Sequence, residues 1–293
     1  MKNNYIREKR VLCGEDYMTV SLYAITPIEH ATRRKKSKKS SARQQAKNKM
    51  ASMRRRQRKV LANFTQKGFF LTLTYEDEYL PKDIRACKRD ADNYKRRVVA
   101  AACRKFAVST DQMRMMLMAC RKGEKGRLHI HGFAECVGLT DAQRRELREM
   151  LEDLWRRRIP GTGEYDPMGT ANVDRINLQQ LLGMTGTSQN GTMGYFYAHK
   201  ERLWSETKNL RTPVECAPND SRWSRKQLRT GCEDGGADLY WWAQHYDGYE
   251  VCKCIVYDPG GLHQSDSARQ DGWENTEPQA YLILRKRRGY GLK

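Results

Sequence analysis

Alternation of apolar and polar positions picks out a series of strands. Residues 16–25, DYMTVSLYAI, alternate and are rich in β formers. GFFLTLTYEDEYLP, 68–81, reads as a strand followed by an acidic turn. In it Phe69, Leu71, Leu73 and Tyr75 share one face, while Phe70, Thr72 and Thr74 share the other. MRMMLMA, 113–119, is apolar on both faces, the pattern of an interior strand. The turn RKGEKG then leads into GRLHIHGFAE, 126–135, which makes a hairpin. Helical spacing marks 82–106 and TDAQRRELREMLEDLWRRR, where Thr140 is a cap and Leu147, Met150, Leu151, Leu154 and Trp155 form one stripe. GTMGYFYAHKERLW, 191–204, is expected to be a helix, ANVDRI a short strand, and YEVCKCIVY and QAYLILRKRR a late pair of strands. Trp241 and Trp242 in LYWWAQHY are expected in a core. The class is α+β, a mostly antiparallel sheet with helices packed on it.

Composition adds charge to this picture. The 293 residues hold one large or two small domains, and the formal net charge is +20. From Arg33 to Lys59 there are fourteen Lys or Arg and no acid, so this stretch carries most of the excess. Its like charges repel, and it is expected to be a basic helical N-terminal arm, frayed until an anion screens it. Nucleic acid is the natural anion, with Arg33, Arg34, Lys35, Lys36, Arg54, Arg55 and Arg56 as phosphate contacts. The expected organisation is an N-terminal strand region at 1–30, the arm at 31–64, a core at 65–215, and a strand pair at 216–293 that completes the sheet or forms a small accessory module. MKNNYIREKR has no apolar run after its charges, and no segment approaches membrane-spanning length, so a soluble cytoplasmic protein is expected. The nine cysteines lack metal-ligand spacing and read as reduced thiols.

The chemistry starts at His129 and His131. On a strand, positions i and i+2 point the same way, so Leu128 and Ile130 face the core and both imidazoles face the other side. Two neutral imidazoles so placed are suited to a divalent metal. In YFYAHK, Tyr197 and Lys200 lie one helical turn apart, where an ammonium favours phenolate or holds a phosphate. Tyr195 is about 200° around the helix from Tyr197 and is assigned to packing. His199 is expected at the surface.

FFLTLTY (69–75), RLHIHGF (127–133) and YAHK (197–200), in this order, resemble the three motifs of the HUH rolling-circle replication initiators, closest to those of single-stranded DNA phages and bacterial mobile elements. RLWSETKNLRTP (202–213) also resembles the phage-type group. The resemblance covers roughly 60–215 and implies a ferredoxin-like nuclease sheet. It implies that His129 and His131 hold Mg²⁺ or Mn²⁺, that Tyr197 attacks the scissile phosphate to leave a 5′-phosphotyrosine, that Lys200 positions the phosphate, and that Thr72 and Thr74 support the site. It also implies a third metal ligand, for which Glu124, Cys120, Glu76 and Asp77 stay open; if Arg121 pairs with Arg127, His129 lies opposite Ala119. The position four before Tyr197 is Met193, so a one-tyrosine enzyme is expected. No G-x-x-x-x-G-K-[ST] occurs, so a host helicase is the expected partner, alongside single-stranded or supercoiled origin DNA in a bacterial host. The oligomeric state stays open. The alternatives are a transposase or relaxase with the same site, and a non-enzymatic basic DNA-binding protein.

Overall fold

The computed structural model describes residues 5–25, 42–121, 126–184, 191–257 and 278–287; the predicted contacts Arg33, Arg34, Lys35 and Lys36 and the candidate ligand Glu124 lie outside them. In chain order the elements are β1 (Tyr5–Cys13), β2 (Tyr17–Ile25), α1 (Ala42–Asn63), β3 (Phe69–Leu73), α2 (Ile84–Phe106), β4 (Met113–Arg121), β5 (Leu128–Cys136), α3 (Asp141–Asp153), β6 (Arg156–Arg158), β7 (Tyr165–Pro167), β8 (Ala171–Arg175), α4 (Leu178–Leu182), α5 (Gly191–Ala198), β9 (Glu201–Glu206), β10 (Val214–Glu215), β11 (Asn219–Trp223), α6 (Arg225–Cys232), α7 (Leu239–Ala243), β12 (Tyr249–Tyr257) and β13 (Gln279–Lys286). The chain is α+β, with mostly antiparallel sheets and packed helices. It divides into two compact units, Asn63–Arg211 and a second built from Met1–Ala62 with Thr212–Lys293.

The central unit is a five-stranded sheet in the order β8-β3-β5-β4-β9, with every pairing antiparallel. One face buries Leu71, Leu73, Leu117 and Ile130 against Tyr94 and Val98 of α2 and Leu147 and Leu151 of α3. The predicted cap of α3 is present as a reciprocal capping box between Thr140 and Gln143, satisfying two backbone donors at that end. Gly132 is needed on this face: a Cβ there would come within 2.5 Å of the Leu117 side chain and 2.6 Å of the Met116 carbonyl oxygen. The opposite face of β3, β5 and β4 carries the two histidines.

One sequence expectation fails here for a tertiary reason. The stretch 191–204 is not one helix: α5 ends at Ala198, and Glu201–Glu206 become β9 on the edge of β4, in register from Arg121↔Glu201 to Met116↔Glu206. The ladder outweighs the helical spacing of the sequence.

In the other unit, β1 and β2 join β13 and β12 in one sheet, with β10 and β11 both on β1. The late strand pair therefore pairs with the N-terminal strands, through Leu284↔Met18 to Ala280↔Leu22, and is no part of the histidine sheet. Trp223, Leu228 and Trp242 form a core with Val20 and Leu282, which places Trp242 in packing as its sequence suggests. The arm also needs correction. Met53, Gln57, Val60 and Leu61 of α1 are buried. The Arg54 guanidinium lies 4.1 Å from the Tyr281 ring centroid, and Arg58 Nε donates to Thr19 Oγ1 at 2.9 Å. From Met53 onward this segment is a packed helix, because Met53, Val60 and Leu61, with Gln57 between them, fall on one face that it can bury.

Candidate metal centre

β5 is the middle strand of its sheet, so its outward side chains are flanked on both sides. The register sets Thr72 of β3 and Met118 of β4 across from His131, and Cys120 across from His129. Residues directly opposite in a ladder share a face. Three strands thus bring Thr72, His131, His129 and Cys120 together on the surface facing away from α2. The expected pairing of Arg121 with Arg127 is off by one: Arg121 faces Leu128, and this moves Cys120, in place of Ala119, opposite His129.

Helix α5 and the bend after it supply the rest. The Phe196 ring lies 5.6 Å from the His131 ring and the Phe70 ring 5.8 Å from it, and the two phenyls are 6.0 Å from each other, so the imidazole packs against a pair of apolar rings. Tyr195 and His199, four residues apart, lie one turn apart along this segment. The His199 ring centroid is 5.3 Å from that of His129 and 5.7 Å from that of His131. One ligand atom from each of Cys120, His129, His131 and His199 falls within 4.8 Å of the others.

The outer hydrogen bonds decide which nitrogens face this centre. His129 Nδ1 lies 3.0 Å from the Arg127 carbonyl oxygen, and His199 Nδ1 lies 3.1 Å from that of Tyr195. A carbonyl only accepts, so both Nδ1 atoms carry the proton and both Nε2 atoms keep a lone pair. His131 Nδ1 is 3.1 Å from Thr72 Oγ1, and its Nε2 is 3.2 Å from the Tyr195 hydroxyl. His199 Nε2 is buried and has no hydrogen-bond partner. An orphaned lone pair aimed into a group of ligands, each oriented by a second hydrogen bond, is the arrangement of a metal site. Burial, then the neighbouring His129 and His199, push His131 down to about 3, which keeps it neutral. Burial and then His129 lower His199 as well. The residues present therefore fit a divalent ion held by imidazole.

The placement of the sequence-derived candidates divides. His129 and His131 come together as expected, and Thr72 supports His131. Thr74 does not join them; its hydroxyl and the Thr170 backbone bond each other at 3.3 Å, tying β3 to the start of β8. Tyr197 and Tyr195 exchange their expected positions. Tyr197 is buried with the Arg202 guanidinium 4.5 Å over its ring, while Tyr195, 43% exposed, places its hydroxyl on His131. Lys200 is exposed on the link between α5 and β9. His199 is 2% exposed and belongs to the centre, not to the surface. Of the open third ligands, Cys120 is in the cluster; Asp77 accepts from Arg127 at 2.5 Å, and Glu76 is exposed outside it. The four-residue spacing of Tyr195 and His199 was the available signal for the helix contribution. Set against protein-family models, curated proteins and solved structures, the chain matches none.

Proposed function

We propose that the chain is a metal-dependent endonuclease of the HUH type that nicks and rejoins single-stranded DNA through Tyr195, the chemistry that begins rolling-circle replication. One observation carries the reading: a half-exposed tyrosine hydroxyl rests 3.2 Å from a histidine nitrogen inside a cluster of three imidazoles. The three motifs that resemble this family meet in that cluster, with Tyr195 in the place expected for Tyr197.

His129, His131 and His199 would hold the ion, which when bound withdraws charge from a scissile phosphate. Tyr195 Oη forms the new bond to phosphorus while the bond from phosphorus to the 3′ oxygen breaks. The products are a 5′-phosphotyrosine and a 3′-hydroxyl; the phenol proton leaves to water and the departing oxygen takes one from it. The link conserves the bond energy for rejoining. Burial, then Cys120, raise the Tyr195 phenol above its usual value, which is why this nucleophile needs cationic help. Phe70 and Phe196 fix the His131 ring, and Thr72 fixes its rotation. With no phosphate-binding loop in the sequence, unwinding falls to a separate helicase.

The test is a denaturing gel of the protein with labelled hairpin-bearing single-stranded oligonucleotides and Mn²⁺. A covalent adduct is expected from the wild type and from Tyr197→Phe, and none from Tyr195→Phe or in EDTA. An adduct that survives Tyr195→Phe and vanishes in Tyr197→Phe overturns the assignment of the nucleophile. An adduct that survives EDTA overturns the metal.

A further inference from the structure

We propose that Cys120 supplies a thiolate as the fourth ligand of this centre, and that the centre thereby takes a borderline transition ion of the Zn²⁺ or Co²⁺ kind in preference to Mg²⁺ or Mn²⁺. The inference rests on the metal centre described above and not on its DNA chemistry.

The donor set is the first argument. Among the described residues, the cluster contains three imidazoles and one thiol and no carboxylate. Mg²⁺ demands six oxygen ligands in near-octahedral order and keeps several waters. This centre offers no carboxylate, and its four ligand atoms are three imidazole nitrogens and one sulfur, so nearly every oxygen of an octahedron would have to come from outside the cluster. Thiolate and imidazole together are the ligands of zinc-type ions, whose affinity for such donors far exceeds that of Mg²⁺.

Geometry is the second. Metal bonds of about 2.1 Å to nitrogen and 2.3 Å to sulfur set tetrahedral ligand separations of roughly 3.3 to 3.6 Å. The four ligand atoms already lie within 4.8 Å of one another, so side-chain rotations of about an ångström gather them. Cys120 needs no backbone change, since the ladder holds it opposite His129. His199 Nε2, buried and unpartnered, gains the partner it lacks. On binding, the S–H bond breaks, the sulfur–metal bond forms, and the proton goes to solvent.

The experiment is a Co²⁺ titration of the full chain after exhaustive chelation, followed by absorption spectroscopy. The wild type should show the intense visible bands of four-coordinate Co²⁺ and a near-ultraviolet band from thiolate-to-cobalt charge transfer. Cys120→Ser should keep a native circular dichroism spectrum, lose the charge-transfer band, and bind Co²⁺ about tenfold or more weakly. Cys87→Ser, whose sulfur sits 3.7 Å from the His129 carbonyl oxygen, should keep the band. His199→Asn should weaken Co²⁺ binding yet retain the band at saturation, which covers the case in which Cys120→Ser does not fold. Stoichiometric Zn²⁺ should bleach the spectrum, and a thousandfold excess of Mg²⁺ should not. A wild type without the charge-transfer band, a band that persists in Cys120→Ser, or displacement by Mg²⁺ at concentrations comparable to Co²⁺ overturns the proposal. Failure of the nuclease reading would show on the DNA gel and leave these spectra unchanged.

Discussion

At the scale of the residue, the centre depends on which nitrogen of each histidine carries the proton, and for His131 the side chains at the two nitrogens are Thr72 and Tyr195. The Thr72 Oγ1 lies 3.1 Å from Nδ1, and when it accepts the Nδ1–H hydrogen bond Nε2 is left as the lone-pair atom. Thr72→Val keeps the branched shape of the strand residue and removes that acceptor. Metal affinity should fall by about 10- to 100-fold with little change in folding, as measured by competition against a chromophoric chelator. An unchanged affinity would mean that the Phe70 and Phe196 rings alone fix the imidazole. The histidine pair was legible in the sequence because alternation along a strand is local. Cys120 was one of four open candidates, since choosing it needed the hairpin register to within a single residue, and His199 was missed, since it needed the rotational setting of a short helix against a sheet. Tyr195 and Tyr197 likewise differ only in which side of that helix faces the histidines.

At the scale of the element, β9 follows α5 directly, so whatever anchors β9 also anchors the tyrosine helix. The anchor is a cluster with α2. Asp92 accepts from Lys88 Nζ at 2.6 Å, from Ser205 Oγ at 2.5 Å and from Lys95 Nζ at 3.2 Å. Lys95 also donates to the Glu206 carbonyl oxygen at 2.9 Å. Burial works to raise the Asp92 carboxyl, but the hydrogen bonds from Lys88, Ser205 and Lys95 outweigh it and draw it to about 2. A carboxyl held below its unfolded value, near 3.9, adds stability above that pH and loses it as pH falls toward 2. Asp92→Asn should remove about 1–2 kcal/mol at neutral pH, discounted for partial exposure, and should flatten the acid limb between pH 4 and 2 in urea titrations. A mutant that keeps the same acid dependence as the wild type would place that limb elsewhere. The strands and helices of this unit were readable from their periodicity, with β9 the exception, because an edge of β4 waiting for a partner is not visible in the segment that fills it.

At the scale of the whole molecule, the division into two units is set by contacts that no local pattern announces, since β2 finds its partner in β13, about 260 residues away along the chain. The same packing sorts the basic residues of α1. Arg54 and Arg58 are engaged by Tyr281 and Thr19, whereas Lys47, Lys49 and Arg55 are exposed. A run that reads as uniform positive charge in the sequence therefore contains two populations with separable effects. If the exposed set meets a DNA backbone, each phosphate it neutralises releases counterions, and replacing all three with alanine should lower the salt slope for single-stranded DNA by about 2 and weaken binding alike for every sequence. Arg54→Ala should act instead on stability, by about 1 kcal/mol through the lost stacking on Tyr281, with the salt slope changing by less than one unit. Fluorescence anisotropy across a salt series, paired with thermal denaturation of both variants, separates the two. An unchanged slope in the triple variant would take α1 off the DNA and leave its exposed cations to another partner.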